Sequence, residues 1–361
     1  VPRRTFGGSG ISLSTLCLGG SSVVGADSRS LLEEALKYGI DCWEFNPFTG
    51  QVFGDYFKAH PGVRERIFLT GKSKSADPVV LQEDLDRTLV TNQTSVIDFF
   101  AIHGVDSVDV LTDDVRRWAE KAKREGKIRL FGFCTHRRVN SCLERAADLG
   151  WIDGIQAFYN FRLQADADTQ AALRKCQANG IGIITVKSMA LCVEDEAEVE
   201  ALRIAKAQLL TQLACHRLSF EQAKLKAIWQ NPHITSICSL MPNVSILRTN
   251  ASAAMDDRPL PEKVTSLLAD YADATGRYFC RRCGACDTKT PERLPIFNVM
   301  ESLLYARGYR AMELARLIFA QIPADLRNRM LQTDYSNAES ACPQRMPIGQ
   351  LMRQAFGELN R

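Results

Sequence analysis

The sequence contains no run of about 18 uncharged apolar residues, so it does not predict a membrane-spanning helix. Neither sign of charge dominates, because 45 Lys and Arg residues against 42 Asp and Glu residues leave a formal net charge of +3. A chain with so small a net charge does not have the strong positive potential that attracts nucleic-acid backbones, and nucleic acid is not expected as a partner. No long apolar run follows the N-terminal arginine pair, so no secretory signal is predicted and a cytoplasmic location is expected.

The chain has 361 residues, of which 45% are hydrophobic and 24% charged, as expected of a globular protein with a large core. Short apolar runs alternate with amphipathic stretches, which is the pattern of repeated βα units. Eight runs are predicted as strands: residues 13–18, 41–45, 67–70, 96–103, 128–134, 154–159, 181–186 and 234–240.

Parallel strands that are hydrophobic on both faces close most economically into a barrel, which has no exposed edge. An eight-stranded α/β barrel takes roughly 250 residues, which leaves room for a smaller second domain. We therefore predict an α/β fold with a (β/α)8 TIM-type barrel over residues 1–262. Residues 263–361, after the Pro259-Leu-Pro linker, show helical patterns without strand signals and are predicted to be a smaller helical domain.

Polar residues follow the predicted strands, at the end of a barrel where chemistry gathers. They are Glu44, Lys72, His103, Cys134-Thr135-His136, Tyr159-Asn160 and Lys187. A lysine, a carboxylate and a histidine in one partly desolvated mouth shift one another's pKa and can serve in proton transfer. For any single member, a solvated rim charge or a paired structural group is the alternative.

Twelve cysteines are an unusual number for this chain. Eight are scattered singly and are predicted to be small buried hydrophobic residues: Cys17, Cys42, Cys134, Cys142, Cys176, Cys192, Cys215 and Cys238. A disulfide framework is disfavoured in a large chain without a secretory signal. The other four cysteines occur in a pattern typical of metal ligands.

These four are Cys280, Cys283, Cys286 and Cys342, the last in a Cys-Pro pair. The heptapeptides that begin at Thr290 and Cys342, TPERLPI and CPQRMPI, are nearly identical and form an internal repeat. The segment resembles the two-cluster ferredoxin run C-x2-C-x2-C-x3-C-P, in which the fourth cysteine ligates the other cluster. This resemblance implies one [4Fe–4S] cluster on the four cysteines.

A second cluster is not expected, because the corresponding positions carry Thr290, Gln332, Tyr335 and Ala338. Zinc is the main alternative at the four cysteines, although zinc sites usually pair two C-x2-C segments. Unligated cysteines are the remaining alternative. Residues 263–361 are therefore predicted to form a ferredoxin-like iron–sulfur domain.

The barrel segments resemble the aldo-keto reductase family. The resemblance rests on RTFGGSGI from Arg4, LCLGG from Leu16, GIDCWEFN from Gly39, HGVD from His103, GKIRLFGFCTH from Gly126, and Tyr159-Asn160. It implies a barrel that reduces carbonyl compounds with NADPH by means of an aspartate, a tyrosine, a lysine and a histidine. Lys72 and His103 match the lysine and the histidine, Glu44 stands in place of the aspartate, and Thr49 stands in place of the tyrosine.

An aliphatic hydroxyl is a far weaker acid than a phenol, so Thr49 cannot replace the tyrosine as a proton donor. The alternatives for the proton donor are Tyr56 and His103. At the cofactor end, the resemblance implies contacts from Gln156 to the nicotinamide and from Asn250 to the adenosine phosphate. At the start of the helix there, free backbone N–H groups at Asn243 or Ser245 would favour an anion, and a plain helix cap is the alternative. Three positions there depart from the family pattern: Leu240, Ile246 and Thr249.

Three functions follow from these features. The first is an iron–sulfur oxidoreductase that acts on a small polar substrate, with carbonyl compounds as one class, and exchanges electrons with a redox partner protein. The second is an NADPH-dependent carbonyl reductase with a structural cluster. The third is a non-catalytic module for electron transfer or binding. Intact cluster ligands beside a lost tyrosine favour the first.

Overall fold

The computed structural model describes residues 1–23, 27–45, 51–291 and 293–360. Within these ranges, eight parallel strands form a closed barrel in which β10 pairs with both β9 and β3. The barrel strands are β3 (Leu16–Leu18), β4 (Cys42–Glu44), β5 (Phe68–Ser73), β6 (Ile97–His103), β7 (Ile128–Thr135), β8 (Gly154–Phe158), β9 (Gly182–Val186) and β10 (Ser236–Ser239). Each overlaps one predicted run, and the predicted TIM-type (β/α)8 barrel is confirmed.

A short antiparallel hairpin precedes the barrel and was not predicted. It consists of β1 (Arg3–Thr5) and β2 (Ser12–Ser14), so the first predicted run, residues 13–18, is divided between the hairpin and β3. The Ser14 hydroxyl donates to the carbonyl of Leu16 and accepts hydrogen bonds from the N–H groups of Asp41 and Cys42. The hairpin is thereby joined to the first two barrel strands.

Phe6, between the two hairpin strands, fills the inside of the barrel. It is fully buried, and its ring centroid lies 5.5 Å from those of Phe68 and Phe99. A Cβ atom on Gly154 would lie 2.2 Å from Cζ of Phe6, and one on Gly182 would lie 2.5 Å from Cδ2. These two glycines on β8 and β9 are therefore required for the close approach of the ring.

The helices are α1 (Ser28–Lys37), α2 (Val52–Ala59), α3 (Pro78–Thr91), α4 (Asp113–Arg124), α5 (Val139–Ala147), α6 (Ala167–Ala178), α7 (Glu200–Cys215), α8 (Phe220–Trp229), α9 (Val244–Met255), α10 (Glu262–Ala274), α11 (Ile296–Leu303), α12 (Met312–Ala320), α13 (Ala324–Arg329), α14 (Ser336–Ala341) and α15 (Ile348–Leu359). Asp77 caps α3, and Thr112 caps α4. Asp27 precedes α1 but makes no capping hydrogen bond through its side chain. No helix in the described ranges is long and apolar enough to cross a membrane.

The chain divides into two compact units. Unit 1 comprises residues 1–189 and 220–261 and contains the barrel, whereas unit 2 comprises residues 190–219 and 262–361. Residues 190–219, which the sequence placed in the barrel domain, have their contacts with unit 2. There α7 packs against α10, and the Val193 N–H donates to the carbonyl of Tyr278 at 2.9 Å. The domains 1–262 and 263–361 stay a prediction.

Unit 2 contains a structural repeat that matches the repeated heptapeptide. Arg293 and Arg345 occupy equivalent positions and have φ values of 48° and 49°. Their N–H groups donate to the carbonyls of Thr290 and Cys342, the first residues of the two heptapeptides, at 3.1 and 2.9 Å. Each turn leads into a helix, α11 or α15, and the two helices pack against each other.

Candidate functional site

Glu44 and Lys72 form an ion pair at the carboxyl ends of β4 and β5. Lys72 Nζ donates to Glu44 Oε1 at 2.5 Å, and the Gly20 N–H donates to Oε2 at 3.2 Å. Burial alone would raise the pKa of Glu44, but Lys72 and the Gly20 N–H outweigh burial and lower it. Burial alone would lower the pKa of Lys72, but Glu44 raises it. Both groups are therefore charged at neutral pH.

His103 ends β6 near this pair, and we call Glu44, Lys72 and His103 the mouth group. Burial, with a smaller contribution from the positive charge of Lys72, lowers the pKa of His103 to about 4. Its ring is consequently neutral at pH 7 and is a hydrogen-bonding group rather than a strong acid. The alternative in which His103 acts as the acid is therefore weakened.

Cys134 on β7 lies beside His103, because the two residues are Cα partners in the barrel register. Burial raises the pKa of the Cys134 thiol to about 11, although Lys72 acts in the opposite direction. The Cys134 sulfur is 3.3 Å from Nε2 of His136, and the rings of His103 and His136 meet edge to face with centroids 5.3 Å apart. A Cys-x-His sequence after one strand and a histidine ending its neighbour are visible in the sequence, but only the barrel register shows that they meet.

Other predicted strand-end residues have structural partners. The hydroxyl of Tyr159 accepts hydrogen bonds from Gln170 at 3.2 Å and Asn231 at 3.0 Å. Asn160 accepts from the N–H of Arg162 at the start of a short 3-10 turn. Lys187 contributes to the lowered pKa of His103, which places its charge within reach of the mouth group. Its backbone has a φ of 58°, an uncommon conformation outside glycine.

Tyr56 is the other alternative to a proton donor at the position of Thr49. Thr49 lies outside the described residues. Tyr56 is 7% exposed on α2, its ring is stacked on His60 with centroids 4.2 Å apart, and it packs near Trp43. Burial raises the pKa of Tyr56, and Glu33 of α1 adds to the effect. The ring is held in an aromatic cluster with Trp43 and His60, and Tyr56 as the proton donor stays a prediction.

The residues predicted to bind NADP(H) fit it only in part. Gln156 is fully buried on β8, and neither polar atom of its amide has a hydrogen-bond partner, which fits a nicotinamide carboxamide. Asn243 caps α9, which was the alternative at this position, since its side chain accepts from the Ile246 N–H at 2.9 Å. Asn250 donates to the Ser239 hydroxyl at 3.2 Å. The amide of Gln156 is therefore available to the nicotinamide. The side chains of Asn243 and Asn250, at the position of the adenosine phosphate, already form hydrogen bonds within the protein.

Four cysteines of unit 2 line one pocket, which we call the four-cysteine pocket. They are Cys280, Cys283, Cys286 and Cys342, and apolar side chains including Ile296, Phe297, Met300, Met346 and Ile348 complete its walls. Burial raises the pKa of Cys280 to about 11, although the backbone N–H of Arg282 donates to its sulfur and opposes the effect. Burial raises the pKa of Cys286 to about 12, and the other three thiols add to this.

The four sulfurs are not at the separations found around one bound zinc ion. With Zn–S bonds of about 2.3 Å, the sulfurs around one tetrahedral zinc lie roughly 3.8 Å apart. Among the described residues, no three of the four sulfurs lie within 4.8 Å of one another. A cubane spaces its thiolates more widely, because each binds a different corner iron.

Three of the four positions that would ligate a second cluster belong to the core of unit 2. Tyr335 and Ala338 are buried in the same apolar cluster, and the Tyr335 hydroxyl donates to the carbonyl of Met330 at 3.2 Å. Thr290 is also buried, and its hydroxyl accepts from the Leu294 N–H at 2.9 Å. Only Gln332 is exposed.

Arg282, beside the four-cysteine pocket, is a buried charged residue. It is 4% exposed, pairs with Glu301 at 3.2 Å, and lies over the ring of Phe297.

Of the eight scattered cysteines, seven are buried as predicted, but Cys215 on α7 is exposed, so the prediction was wrong for that residue.

Residues 14–222 match the family model described as the aldo/keto reductase family, and the chain belongs to this family of oxidoreductases. The match includes the mouth group and ends before the four-cysteine pocket. A small-molecule substrate follows from the family. No curated protein is significantly similar to the chain in sequence.

Two of the solved structures that are similar to this chain are forms of one protein. The holo form of aldo-keto reductase AKR11C1 from Bacillus halodurans is 18% identical with a TM-score of 0.62, and the alignment covers 78% of this chain and 99% of that protein. The apo form is likewise 18% identical with a TM-score of 0.61 and the same coverage.

Proposed function

We propose that the protein is an iron–sulfur oxidoreductase that acts on a small polar substrate of the carbonyl class. The barrel mouth binds the substrate, and the four-cysteine pocket holds one [4Fe–4S] cluster. The observation that supports this most strongly is the convergence of four sulfurs from two separated segments on one largely apolar pocket. The C-x2-C-x2-C segment with a distant Cys-Pro favours a cubane over zinc, because zinc sites usually pair two C-x2-C segments.

The mouth group suits a carbonyl oxygen. Lys72 keeps its positive charge because Glu44 is its partner, and it offers electrostatic stabilisation to developing negative charge. The neutral ring of His103 orients the oxygen by a hydrogen bond. Neither group is a strong proton donor at pH 7, which disfavours ordinary hydride reduction with tyrosine-type acid catalysis.

A cluster would supply one-electron transfer, and the residues around it fit that role. Cys280 receives a backbone N–H from Arg282, and hydrogen bonds of this kind tune the potential of a cluster. Cys283 is exposed, which leaves one ligand accessible to a redox partner protein. The positive charge of Arg282 would oppose the negative charge of a cluster. Because Arg282 is paired with Glu301, this electrostatic effect is partly offset.

The cluster is tested by metal analysis of full-length protein prepared anaerobically. We expect about four iron and four labile sulfide ions per chain, and loss of most of both in Cys342→Ser. The matched control is Cys215→Ser, which removes an exposed cysteine of the same unit. Colourless wild-type protein without iron, or protein with stoichiometric zinc instead, would overturn the proposal.

Catalysis at the mouth is tested with reduced methyl viologen as the electron donor and a panel of small aldehydes and hydroxyketones. Lys72→Ala should lower turnover at least about 100-fold while leaving the iron content unchanged. Lys121→Ala, which removes an exposed lysine on α4, is the control. Equal turnover in Lys72→Ala and wild type would contradict a role for the mouth group.

The second candidate, an NADPH-dependent carbonyl reductase with a structural cluster, is favoured by the unpaired amide of Gln156. If NADPH binds, titration followed by nicotinamide fluorescence should show an affinity that falls about tenfold in Gln156→Ala. Gln177→Ala, at an exposed position of α6, is the control. Absence of binding by the wild type would remove this candidate.

A further inference from the structure

Three metal-ligating side chains meet at the carboxyl ends of two neighbouring barrel strands. His103 ends β6, Cys134 is its Cα partner on β7, and His136 follows two residues later. Residues two apart in an extended chain project to the same face, so Cys134 and His136 share a direction. One ligand atom from each of the three residues lies within 4.8 Å of the other two.

These separations suit one metal ion. For Zn–N distances of about 2.0 Å and Zn–S distances of about 2.3 Å, neighbouring ligand atoms lie roughly 3.3–3.8 Å apart. The sulfur of Cys134 is already 3.3 Å from Nε2 of His136. In addition, the buried Nδ1 of His103 has no hydrogen-bond partner. A buried polar atom without a partner is uncommon and indicates a missing ligand or water.

We propose that His103, Cys134 and His136 bind a divalent metal ion of the zinc class, with a fourth coordination position open to the barrel mouth. One thiolate and two imidazoles form a donor set that zinc prefers. Three protein ligands and one open position are typical of catalytic rather than structural zinc. Binding forms the metal–sulfur bond and releases the thiol proton of Cys134 to solvent.

The charges around the site permit a cation. Of the positive charges that act on His103, Lys72 has the largest effect and is compensated by Glu44 at 2.5 Å, whereas Lys74 and Lys187 contribute less. One thiolate leaves a bound divalent ion with a net charge of about +1, so the open position attracts water, a carbonyl oxygen or an oxyanion.

The ion would also provide an electrophile that the sequence otherwise lacks. The resemblance to the family places Thr49 at the position of the tyrosine, and an aliphatic hydroxyl is a far weaker acid than a phenol. A carbonyl oxygen that takes the open coordination position would be polarised by the metal ion, and no proton donor would be needed for this. This role rests on the proposed function, whereas binding of the ion does not.

Cobalt(II) titration of the full chain under anaerobic conditions tests the site. In the wild type we expect a sulfur-to-cobalt charge-transfer band with tetrahedral visible bands, part of which disappears in Cys134→Ser. His136→Gln should weaken the same component at least about tenfold. Cys142→Ser, which removes another buried thiol of unit 1, should titrate like the wild type.

Cobalt bound in the four-cysteine pocket contributes equally to the spectra of the wild type and of these three variants. Subtracting the spectrum of a variant from that of the wild type therefore isolates the cobalt bound at the barrel site. Identical titrations of wild type, Cys134→Ser and His136→Gln would overturn the proposal. If Cys134→Ser does not fold, as judged by circular dichroism, His136→Gln decides the question. Cobalt binding without carbonyl turnover would retain the metal site and reject the proposed substrate class.

Discussion

At the scale of residues, the exchange of aspartate for glutamate in the mouth group preserves the ion pair. Glu44 is one methylene longer, yet its carboxylate reaches Lys72 at 2.5 Å and still accepts from the Gly20 N–H. The charge of Lys72 therefore does not depend on the shorter side chain. At Thr49 the resemblance to the family implies a change of a different kind, because an aliphatic hydroxyl in place of a phenol does not donate its proton near neutral pH.

The lowered pKa of Glu44 predicts how stability depends on pH. Its contribution is present above the unfolded pKa of about 4.3 and is lost as the pH falls through the lower pKa of the folded state. At pH 7, Glu44→Gln should therefore be about 2 kcal/mol less stable than wild type, and the difference should narrow below about pH 4.

Urea unfolding followed by tryptophan fluorescence between pH 3 and 7 measures this difference. Glu83→Gln, which changes an exposed carboxylate of α3, is the control. A difference between Glu44→Gln and wild type that does not change with pH would show that the ion pair is not its source.

At the scale of elements, the barrel depends on close approach between the N-terminal hairpin and two strands. The ring of Phe6 lies against the backbone of β8 and β9, where Gly154 and Gly182 have no side chain. The sequence showed these glycines inside predicted strands but contained no indication of the ring that requires them. Glycine within a strand often marks such an approach, although the approaching group cannot be identified from the strand itself.

Gly154→Ala should destabilise unit 1 by about 1–3 kcal/mol, since the new methyl group would lie 2.2 Å from a buried ring. Gly8→Ala is the control, because its nearest contact would be an ordinary 3.5 Å. Adding Phe6→Leu to Gly154→Ala should restore part of the loss. Urea unfolding measures all three, and equal stability of Gly154→Ala and Gly8→Ala would contradict this packing.

At the scale of the whole molecule, the two units carry different spectroscopic probes. All four tryptophans, Trp43, Trp118, Trp151 and Trp229, belong to unit 1. The four-cysteine pocket belongs to unit 2. Tryptophan fluorescence therefore reports the barrel, whereas circular dichroism reports the helices of both units.

Removal of iron by a chelator should destabilise unit 2 selectively, because a ligand that binds only the folded state stabilises that state. We expect a separate circular dichroism transition at lower temperature, displaced by roughly 4 °C for each kcal/mol lost. The tryptophan transition should stay in place. Parallel displacement of both transitions would indicate that the units unfold together, and no displacement would indicate that no stabilising ion was present.

The sequence by itself determined the barrel strands, because apolar runs of strand length recur at the spacing of βα units. It also determined the internal repeat, which the matching turns at Arg293 and Arg345 reproduce in the backbone. These features are local, and each is encoded within a short stretch of residues. The cluster ligands stay a prediction from spacing, although the structure brings all four sulfurs to one pocket.

Only the tertiary structure decided which distant residues meet. Closure of the barrel and its register place His103 beside Cys134 and leave the amide of Gln156 without a partner. Residues 190–219 join unit 2 for the same reason. Periodicity along a chain fixes which face of an element is buried, but proximity between elements depends on strand register and packing, which no local pattern contains.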